Sequence, residues 1–252
     1  MSDAATIGQV VDAHRALAAA GAGDLVWGHM AIRDPAGRGV WTKAAGWGME
    51  DLCPERVVLV SFDGAVIAGD GERHLEVFIH TELMRRRPEV RASVHTHGEA
   101  AVAFASLEEP LRPISHAATP FLEPGRDVPR FERTGNLIRT PELGAALAAR
   151  IGSGAGCLIP AHGLVTAGAD AAHAVLNAVL LERACSTQLA ALAAGGPRRW
   201  SSEAEAAAKK AEIWSAEGVR AAYGHLVRRA DATIPRPAAG APARPDTKEI
   251  PA

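Results

Sequence analysis

Apolar residues near the start of the chain recur at intervals of three and four positions, the spacing that places them on one face of an α-helix. Ile7, Val10, Val11 and Leu17 carry this pattern, which predicts a helix over 4–21 that glycine ends. The same period predicts further helices over 76–87, 98–106, 142–151, 170–194 and 202–230, with Trp214 on the apolar face of the last one.

Short apolar or alternating runs lie between these helices and are bounded by turn residues, which predicts strands. The runs are 27–33, 39–42, 56–61, 65–68, 92–97, 156–160 and 164–167. Short strands with tight turns, interleaved with helices, predict an α/β protein with a substantially antiparallel or mixed sheet. No GxGxxG segment follows a strand, which argues against a Rossmann domain.

Length and composition are those of one large domain. The chain has 252 residues, and 48% of them are apolar, so a sizeable core can be buried. Residues 232–252 contain five prolines and no aromatic residue. We therefore predict a single domain over 1–231 followed by a disordered C-terminal tail over 232–252.

Charge and cysteine usage narrow the class of protein further. The formal net charge is −2, which indicates neither nucleic acid nor a membrane surface as a partner. The three cysteines are widely spaced and form neither a disulfide framework nor a CxxC metal site. We find no pattern of a signal peptide and no apolar run of spanning length, and we expect a cytoplasmic protein.

Two histidines alternate along one predicted strand. His95 and His97 lie two residues apart, so both imidazoles point to the same side of the sheet and can meet at one metal ion. Such a site needs a carboxylate or a third histidine as well. We predict that His162 is the third ligand and that Glu76 is a fourth ligand or the acid/base beside the metal. The alternative is that the two histidines have only a structural role, because an isolated pair with this spacing is more often a surface or structural pair than a metal site.

Four segments resemble the class II aldolase/adducin family, in order and at fitting separations. Gly28-His29-Met30-Ala31-Ile32-Arg33 is similar to the family's Gly-Asn/His-x-Ser-x-Arg, and Glu76-x-x-x-His80 stands at the head of a predicted helix. Arg87-Pro88-Glu89-Val90 leads to His95-Thr96-His97, and His162-Gly163 completes the set. Together the segments cover about residues 5 to 195.

The resemblance implies a three-layer α/β/α sandwich around a mostly antiparallel sheet. It also implies a homotetramer with active sites at subunit interfaces. A divalent ion (Zn²⁺, Mn²⁺, Fe²⁺ or Co²⁺) would be held by the residues that match the family's ligands, His95, His97 and His162. The residue matching Glu76 lies beside the metal and shuttles a proton in the family's aldolases.

The segments depart from the sugar-phosphate aldolases where those enzymes hold phosphate. His29 replaces Asn, Ala45 replaces Thr or Ser, and His74-Leu75 replaces a Ser-Ser pair. A desolvated phosphate without hydrogen-bond donors binds poorly, whereas His29, Lys43 and His74 suit a carboxylate. The glycine loop at Gly46 permits close approach of the backbone to a ligand. The alternative is that Lys43 and His74 are solvated loop residues and that Trp27, Trp41 and Trp47 belong to the core.

These features favour a metal-dependent carbon–carbon lyase, which we interpret as a decarboxylase of a hydroxylated aromatic acid related to dihydroxyphthalate or a hydroxypyridine carboxylate. Glu76 or His116 would supply a proton, and Tyr223 matches weakly the tyrosine acid that the family's aldolases take from a neighbouring subunit. One alternative is an aldolase acting on a non-phosphorylated hydroxy-keto acid or a sugar phosphate. Others are a non-catalytic adducin-like module and an iron-dependent oxygenase.

Overall fold

The computed structural model describes residues 2–123, 125–238 and 240–244. Seven strands form one sheet in the order β4-β3-β2-β1-β5-β7-β6, and each neighbouring pair runs antiparallel. This confirms the predicted mostly antiparallel sheet. The strands are β1 (His29–Arg33), β2 (Gly39–Lys43), β3 (Val57–Ser61), β4 (Val66–Ala68), β5 (Ala92–Thr96), β6 (Gly156–Ile159) and β7 (Gly163–Gly168).

Helices cover both faces of the sheet, so the predicted three-layer α/β/α sandwich is confirmed. The helices are α1 (Asp3–Ala19), α2 (Phe78–Arg86), α3 (Glu99–Ala105), α4 (Pro141–Ile151), α5 (Ala171–Ala193), α6 (Glu203–Ile213) and α7 (Ala216–Thr233), with short 3-10 segments at Pro54–Arg56 and His116–Phe121. One hydrophobic core lies between the sheet and α1, α3, α5 and α7, and a second lies between the sheet and α2 and α4.

The alternation of β5 decides which core each of its side chains enters. Ala92 and Val94 belong to the core beneath α1 and α5. Ser93 and His95 therefore point to the opposite face, toward α2. His29 pairs with His95 across the β1–β5 ladder, so the two imidazoles lie side by side on that face.

The predicted helix over 202–230 is wrong in one respect, because the chain forms two helices there. α6 ends at Ile213 and α7 begins at Ala216, with Ser215 accepting a hydrogen bond from the Gly218 backbone at 3.1 Å. The serine side chain caps the new helix in place of a continued backbone ladder. Trp214 lies at the break, where it packs partly buried against the α1–α5 core.

The segment after α7 has defined contacts with the domain. Arg15 is 1% exposed and donates to the carbonyls of Ile234 and Pro235, at 2.6 and 3.1 Å. Trp47 donates through Nε1 to the Ala243 carbonyl at 3.0 Å. Part of the tail predicted to be disordered thus has a described course, and residues 245–252 lie outside the described residues. None of the described helices combines the length and the apolar character that crossing a bilayer requires.

Candidate metal centre and its cleft

Four side chains converge at one end of the sheet. His95 lies on β5, and His97 is the first residue after that strand. His162 lies in the turn between β6 and β7, and Glu76 precedes α2. One nitrogen or oxygen atom from each residue lies within 4.8 Å of the others. The structure therefore brings together all four residues of the predicted metal site, and this Glu/His cluster could bind a divalent ion.

Backbone geometry explains how His162 reaches the cluster. Ala161 takes a left-handed φ of 57°, which makes a tight turn between the two strands. A Cβ at Gly163 would lie 2.3 Å from the Thr96 carbonyl oxygen, so glycine lets β7 start directly against the end of β5. The close approach sets His162 beside His97, with ring centroids 5.2 Å apart.

Hydrogen bonds fix the orientation of two imidazoles. His95 donates from Nδ1 to the Leu164 carbonyl at 2.9 Å, and His97 donates from Nδ1 to the Asp24 carboxylate. Both rings then present the lone pair of Nε2, and the two Nε2 atoms lie 3.0 Å apart. Two facing lone pairs repel each other unless a cation lies between them. Two nitrogens that each lie about 2.1 Å from one metal ion are roughly 3.0 to 3.4 Å apart for bond angles between about 90° and 110°, so the arrangement fits a metal ion.

His162 supplies a second sign that a ligand belongs here. Both ring nitrogens are buried, and neither has a hydrogen-bond partner among the described residues. A buried unpaired polar group is costly, and a bond to a metal ion would satisfy one of these nitrogens. His162 Nε2 lies 3.5 Å from Glu76 Oε1, on the side where the other ligands meet.

Glu76 is the only carboxylate of the cluster as the structure describes it. Its Oε1 accepts a hydrogen bond from the Ile138 amide at 2.7 Å, and its Oε2 lies 3.6 Å from His95 Nε2. Burial opposes ionisation, but the adjacent imidazoles of His162 and His95 outweigh it and hold the pKa of Glu76 well below its ordinary value. The group is therefore an anion, able to neutralise a cation or to accept a proton.

Asp24 is a site residue that sequence reasoning missed. It lies after α1, 73 positions from the His97 ring that it orients. Burial lowers the pKa of His97, and the hydrogen bond and charge of Asp24 oppose that effect. Only a carboxylate in a glycine-rich loop marks it in the sequence, which is too weak a signal to identify it. Carboxylates that orient a metal-binding histidine raise its basicity and hold its tautomer.

We expect Asp24→Asn to weaken metal affinity about 10- to 100-fold, because the His97 ring loses its charged partner. Competition with a chromophoric chelator measures the effect. Asp63→Asn is the matched control, since that carboxylate is exposed and pairs with Arg85 away from the cluster. Equal affinities for both variants would remove Asp24 from the site.

A cleft of about 850 Å³ opens onto the cluster. His29, Gly46 and His74 line it together with Glu76, His97 and His162, so three of the four predicted substrate-binding residues face the same space as the metal ligands. The remaining walls include exposed apolar side chains from separate loops, namely Trp27, Leu75 and Leu137, which are 58%, 59% and 40% exposed.

One histidine of the cleft lining, His29, lies within hydrogen-bond distance of a buried histidine behind it. His29 Nδ1 lies 2.7 Å from His80 Nε2, and His80 Nδ1 lies 2.6 Å from Ser93 Oγ. Complete burial lowers the pKa of His80 to about 3, so its ring is neutral at ordinary pH. The His74 ring packs 4.5 Å from that of His29.

Direct contact of Lys43 with a substrate is a prediction that the structure corrects. The side chain is fully buried behind the cleft, where its ammonium donates to the carbonyls of Val26 and Trp47 and lies 3.1 Å from His74 Nε2. Burial lowers the pKa of Lys43 to about 7. Lys43 can act on a ligand only through His74, because its charge is enclosed by these three partners.

The three tryptophans that the sequence places near the site, Trp27, Trp41 and Trp47, lie in different surroundings. Trp41 belongs to the core and donates to Asp34, and the Trp47 ring lies against the Arg56 guanidinium at 3.5 Å. Of the three tryptophans, Trp27 is the one that lines the cleft.

His116 and Tyr223 do not line the cleft of the single chain. His116 is exposed at the start of the 3-10 segment that packs against α5 and α6. Tyr223 packs on the α1–α5 core, where burial raises the pKa of its hydroxyl. Their catalytic roles stay predictions, and a contribution of Tyr223 to a neighbouring subunit concerns an assembly of several chains.

The antiparallel sheet between two helical layers, with a Glu/His cluster at one end, defines a class II aldolase-like protein. Residues 8–189 match the family model described as "Class II Aldolase and Adducin N-terminal domain". The chain therefore belongs to the class II aldolase and adducin family, as the four sequence segments predicted.

Relatives and solved structures show the branches of this family that resemble the chain. A 3,4-dihydroxyphthalate decarboxylase of Terrabacter sp. (strain DBF63) is 31% identical, with 74% of this chain and 81% of that protein covered. The 4-hydroxy-3-prenylphenylpyruvate oxygenase/4-hydroxy-3-prenylbenzoate synthase of Streptomyces roseochromogenus subsp. oscitans is 30% identical over 62% of this chain, which spans 56% of that relative's length. The structure of L-fuculose 1-phosphate aldolase from Glaciozyma antarctica PI12 superposes with a TM-score of 0.79 at 27% identity, covering 93% of this chain and 92% of that one.

Proposed function

We propose that this protein is a metal-dependent carbon–carbon lyase that decarboxylates a hydroxylated aromatic acid. The observation that carries the proposal is the Glu/His cluster at the base of a cleft whose described lining contains no serine or threonine. Histidines and apolar side chains make up most of the lining, which suits an aromatic ring. Arg73 and Asn136 also line the cleft and can donate hydrogen bonds to an anionic group of the substrate. The decarboxylase names of similar proteins support the same reaction class.

In this proposal His95, His97 and His162 hold a divalent ion, with Glu76 beside them. Such an ion would supply a Lewis acid that stabilises the electron pair left on carbon when CO₂ departs. Its identity among Zn²⁺, Mn²⁺, Fe²⁺ and Co²⁺ is open, because imidazole and carboxylate ligands suit all four ions.

Glu76 moves the proton in this proposal. Its carboxylate takes the proton of the substrate hydroxyl, and the carbon–carboxylate bond then breaks with its electron pair left on the ring carbon. Glu76 returns the proton to that carbon, and water restores the hydroxyl proton, so one proton is consumed for each CO₂ released. Glu76 is ionised at the start of this sequence, so its carboxylate is free to accept the hydroxyl proton.

The apolar wall positions the ring. Trp27, Leu75 and Leu137 line the cleft as its large apolar side chains, and a planar ring packs against them with its carboxylate toward His29 and His74.

The proposal includes a homotetramer whose subunits meet at the clefts. Leu25, Trp27 and Leu75 are large apolar residues, each more than half exposed. Trp27 and Leu75 line the cleft, and Leu25 precedes Trp27 by two positions in the same loop. Large apolar side chains exposed around one cleft favour contact with another chain.

Aldol cleavage is the second candidate, and the match to L-fuculose 1-phosphate aldolase over almost the whole chain favours it. Both reactions leave an electron pair on a carbon near the metal site, so the same residues serve either one. An oxygenase is kept as a third possibility because one relative carries that word in its name. A non-catalytic module fits poorly, since all four cluster residues are present.

We expect the metal-loaded protein to release CO₂ from at least one member of a panel of dihydroxybenzoates, dihydroxyphthalates and hydroxypyridine carboxylates. A chelator should abolish the release, and adding back the metal should restore it. Aldehyde formation from hydroxy-keto acids without CO₂ release would transfer the protein to the aldolases. Chelator-insensitive release would contradict the role of the metal.

A further inference from the structure

A chain of hydrogen bonds runs from the interior of the sheet to the cleft. Ser93 lies next to His80, and His80 lies next to His29, at 2.6 and 2.7 Å. Ser93 and His80 are completely buried, and His29 is the member that lines the cleft. Each of the two contacts contains one proton, so the direction of donation decides what His29 presents to a ligand.

The serine hydroxyl determines this direction. His80 is the only hydrogen-bond partner of the Ser93 side chain within the described ranges. If Ser93 accepted a hydrogen bond from His80, its own buried O–H would have no acceptor, which is costly in the interior. If Ser93 donates to His80 Nδ1, only oxygen lone pairs are left without a partner, and this is the less unfavourable arrangement.

With Ser93 donating, each following ring has a defined tautomer. His80 is protonated on Nε2 and donates to His29 Nδ1, so a neutral His29 is protonated on Nε2. That nitrogen has no partner in the part of the chain that the structure describes. We propose that Ser93 and His80 are positioning residues, which hold His29 so that its Nε2–H donates to a carboxylate of the substrate.

A fixed donor selects among ligands. A carboxylate can only accept hydrogen bonds and therefore matches Nε2–H, whereas an ammonium group at the same place can only donate and is rejected. The identity of the anion rests on the proposed function. The tautomer of His29 follows from the hydrogen bonds alone, so it can be tested without turnover.

Long-range ¹H–¹⁵N spectra of the zinc-loaded, ¹⁵N-histidine-labelled protein test the tautomer. We expect His29 and His80 to carry the proton on Nε2, with their signals assigned through His29→Asn and His80→Gln. In Ser93→Ala the His80 signals should shift to a mixture of tautomers, and Ser93→Thr should restore the wild-type pattern. A proton on Nδ1 of His29 in the wild type overturns the proposal, whether or not the protein releases CO₂.

Calorimetric titration with phthalate, which lacks the ring hydroxyl, tests the anion without requiring turnover. We expect Ser93→Ala to weaken phthalate binding at least about tenfold with metal content unchanged, and Ser93→Thr to recover most of the loss. Thr166→Val is the matched control, because it also removes a buried hydroxyl, one that bonds to Ala174 on the other face of the sheet. Equal weakening in Ser93→Ala and Thr166→Val, or no binding to the wild type, overturns the carboxylate assignment.

Discussion

Replacing His95 with alanine should remove both the bound divalent ion and the activity of the protein. His95 is completely buried, and its Nε2 lies 3.0 Å from His97 Nε2 and 3.6 Å from Glu76 Oε2. Loss of a partner that only orients a ligand weakens metal binding by about 10- to 100-fold. We therefore expect loss of a ligand itself to cost more than about 100-fold, with turnover falling to background.

Metal content after dialysis, measured by mass spectrometry alongside turnover, checks this expectation. His173→Ala is the matched control, because His173 lies partly exposed on α5 and pairs with Asp170, away from the cluster. Circular dichroism shows whether each variant is folded. A folded His95→Ala protein with wild-type metal content would refute the ligand assignment.

Replacing Glu76 with glutamine should separate metal binding from chemistry. The amide keeps the size of the side chain and still accepts the hydrogen bond from the Ile138 amide, so the local fold should be retained. Three imidazoles continue to hold the ion. The amide cannot shuttle a proton, and a positioned acid/base contributes about 10²- to 10⁴-fold to a rate, which is roughly 3 to 5 kcal/mol in the barrier.

Steady-state kinetics and metal content of the same preparation test this prediction. Glu72→Gln is the control, since it also removes a carboxylate from the wall of the cleft but lies outside the cluster. We expect that control to stay within a few-fold of the wild type. Full activity in Glu76→Gln would exclude the residue from proton transfer.

Local periodicity predicted the parts of the site that a strand itself determines. The two-residue spacing of His95 and His97 is a property of extended backbone, so their convergence follows from the sequence. Their pairing with His162 and Glu76 came from the resemblance as well as from the spacing. Most strand and helix positions follow from the same patterns of apolar residues. Those patterns left the sheet antiparallel or mixed, and the mostly antiparallel sheet was an implication of the resemblance.

Burial and hydrogen bonds that involve residues far apart in the chain could not be predicted from such local patterns. Lys43 was predicted to meet a substrate or, alternatively, to be solvated. It is instead enclosed at the end of β2, because the carbonyls of Val26 and Trp47 accept hydrogen bonds from its ammonium. The contact of Asp24 with His97 and that of His80 with His29 join residues 73 and 51 positions apart. Neither has a local signature, since each depends on how whole elements pack.

The course of the segment after α7 ties the shape of the cleft to the C-terminal part of the chain. Ala243 receives a hydrogen bond from Trp47, and the Trp47 carbonyl in turn receives one from Lys43, which lies against His74. The buried guanidinium of Arg15 also donates to two carbonyls of the segment after α7, those of Ile234 and Pro235. Proteolytic trimming or a truncated expression product ending at Thr233 would remove both acceptors from that guanidinium, and we expect a lower free energy of unfolding.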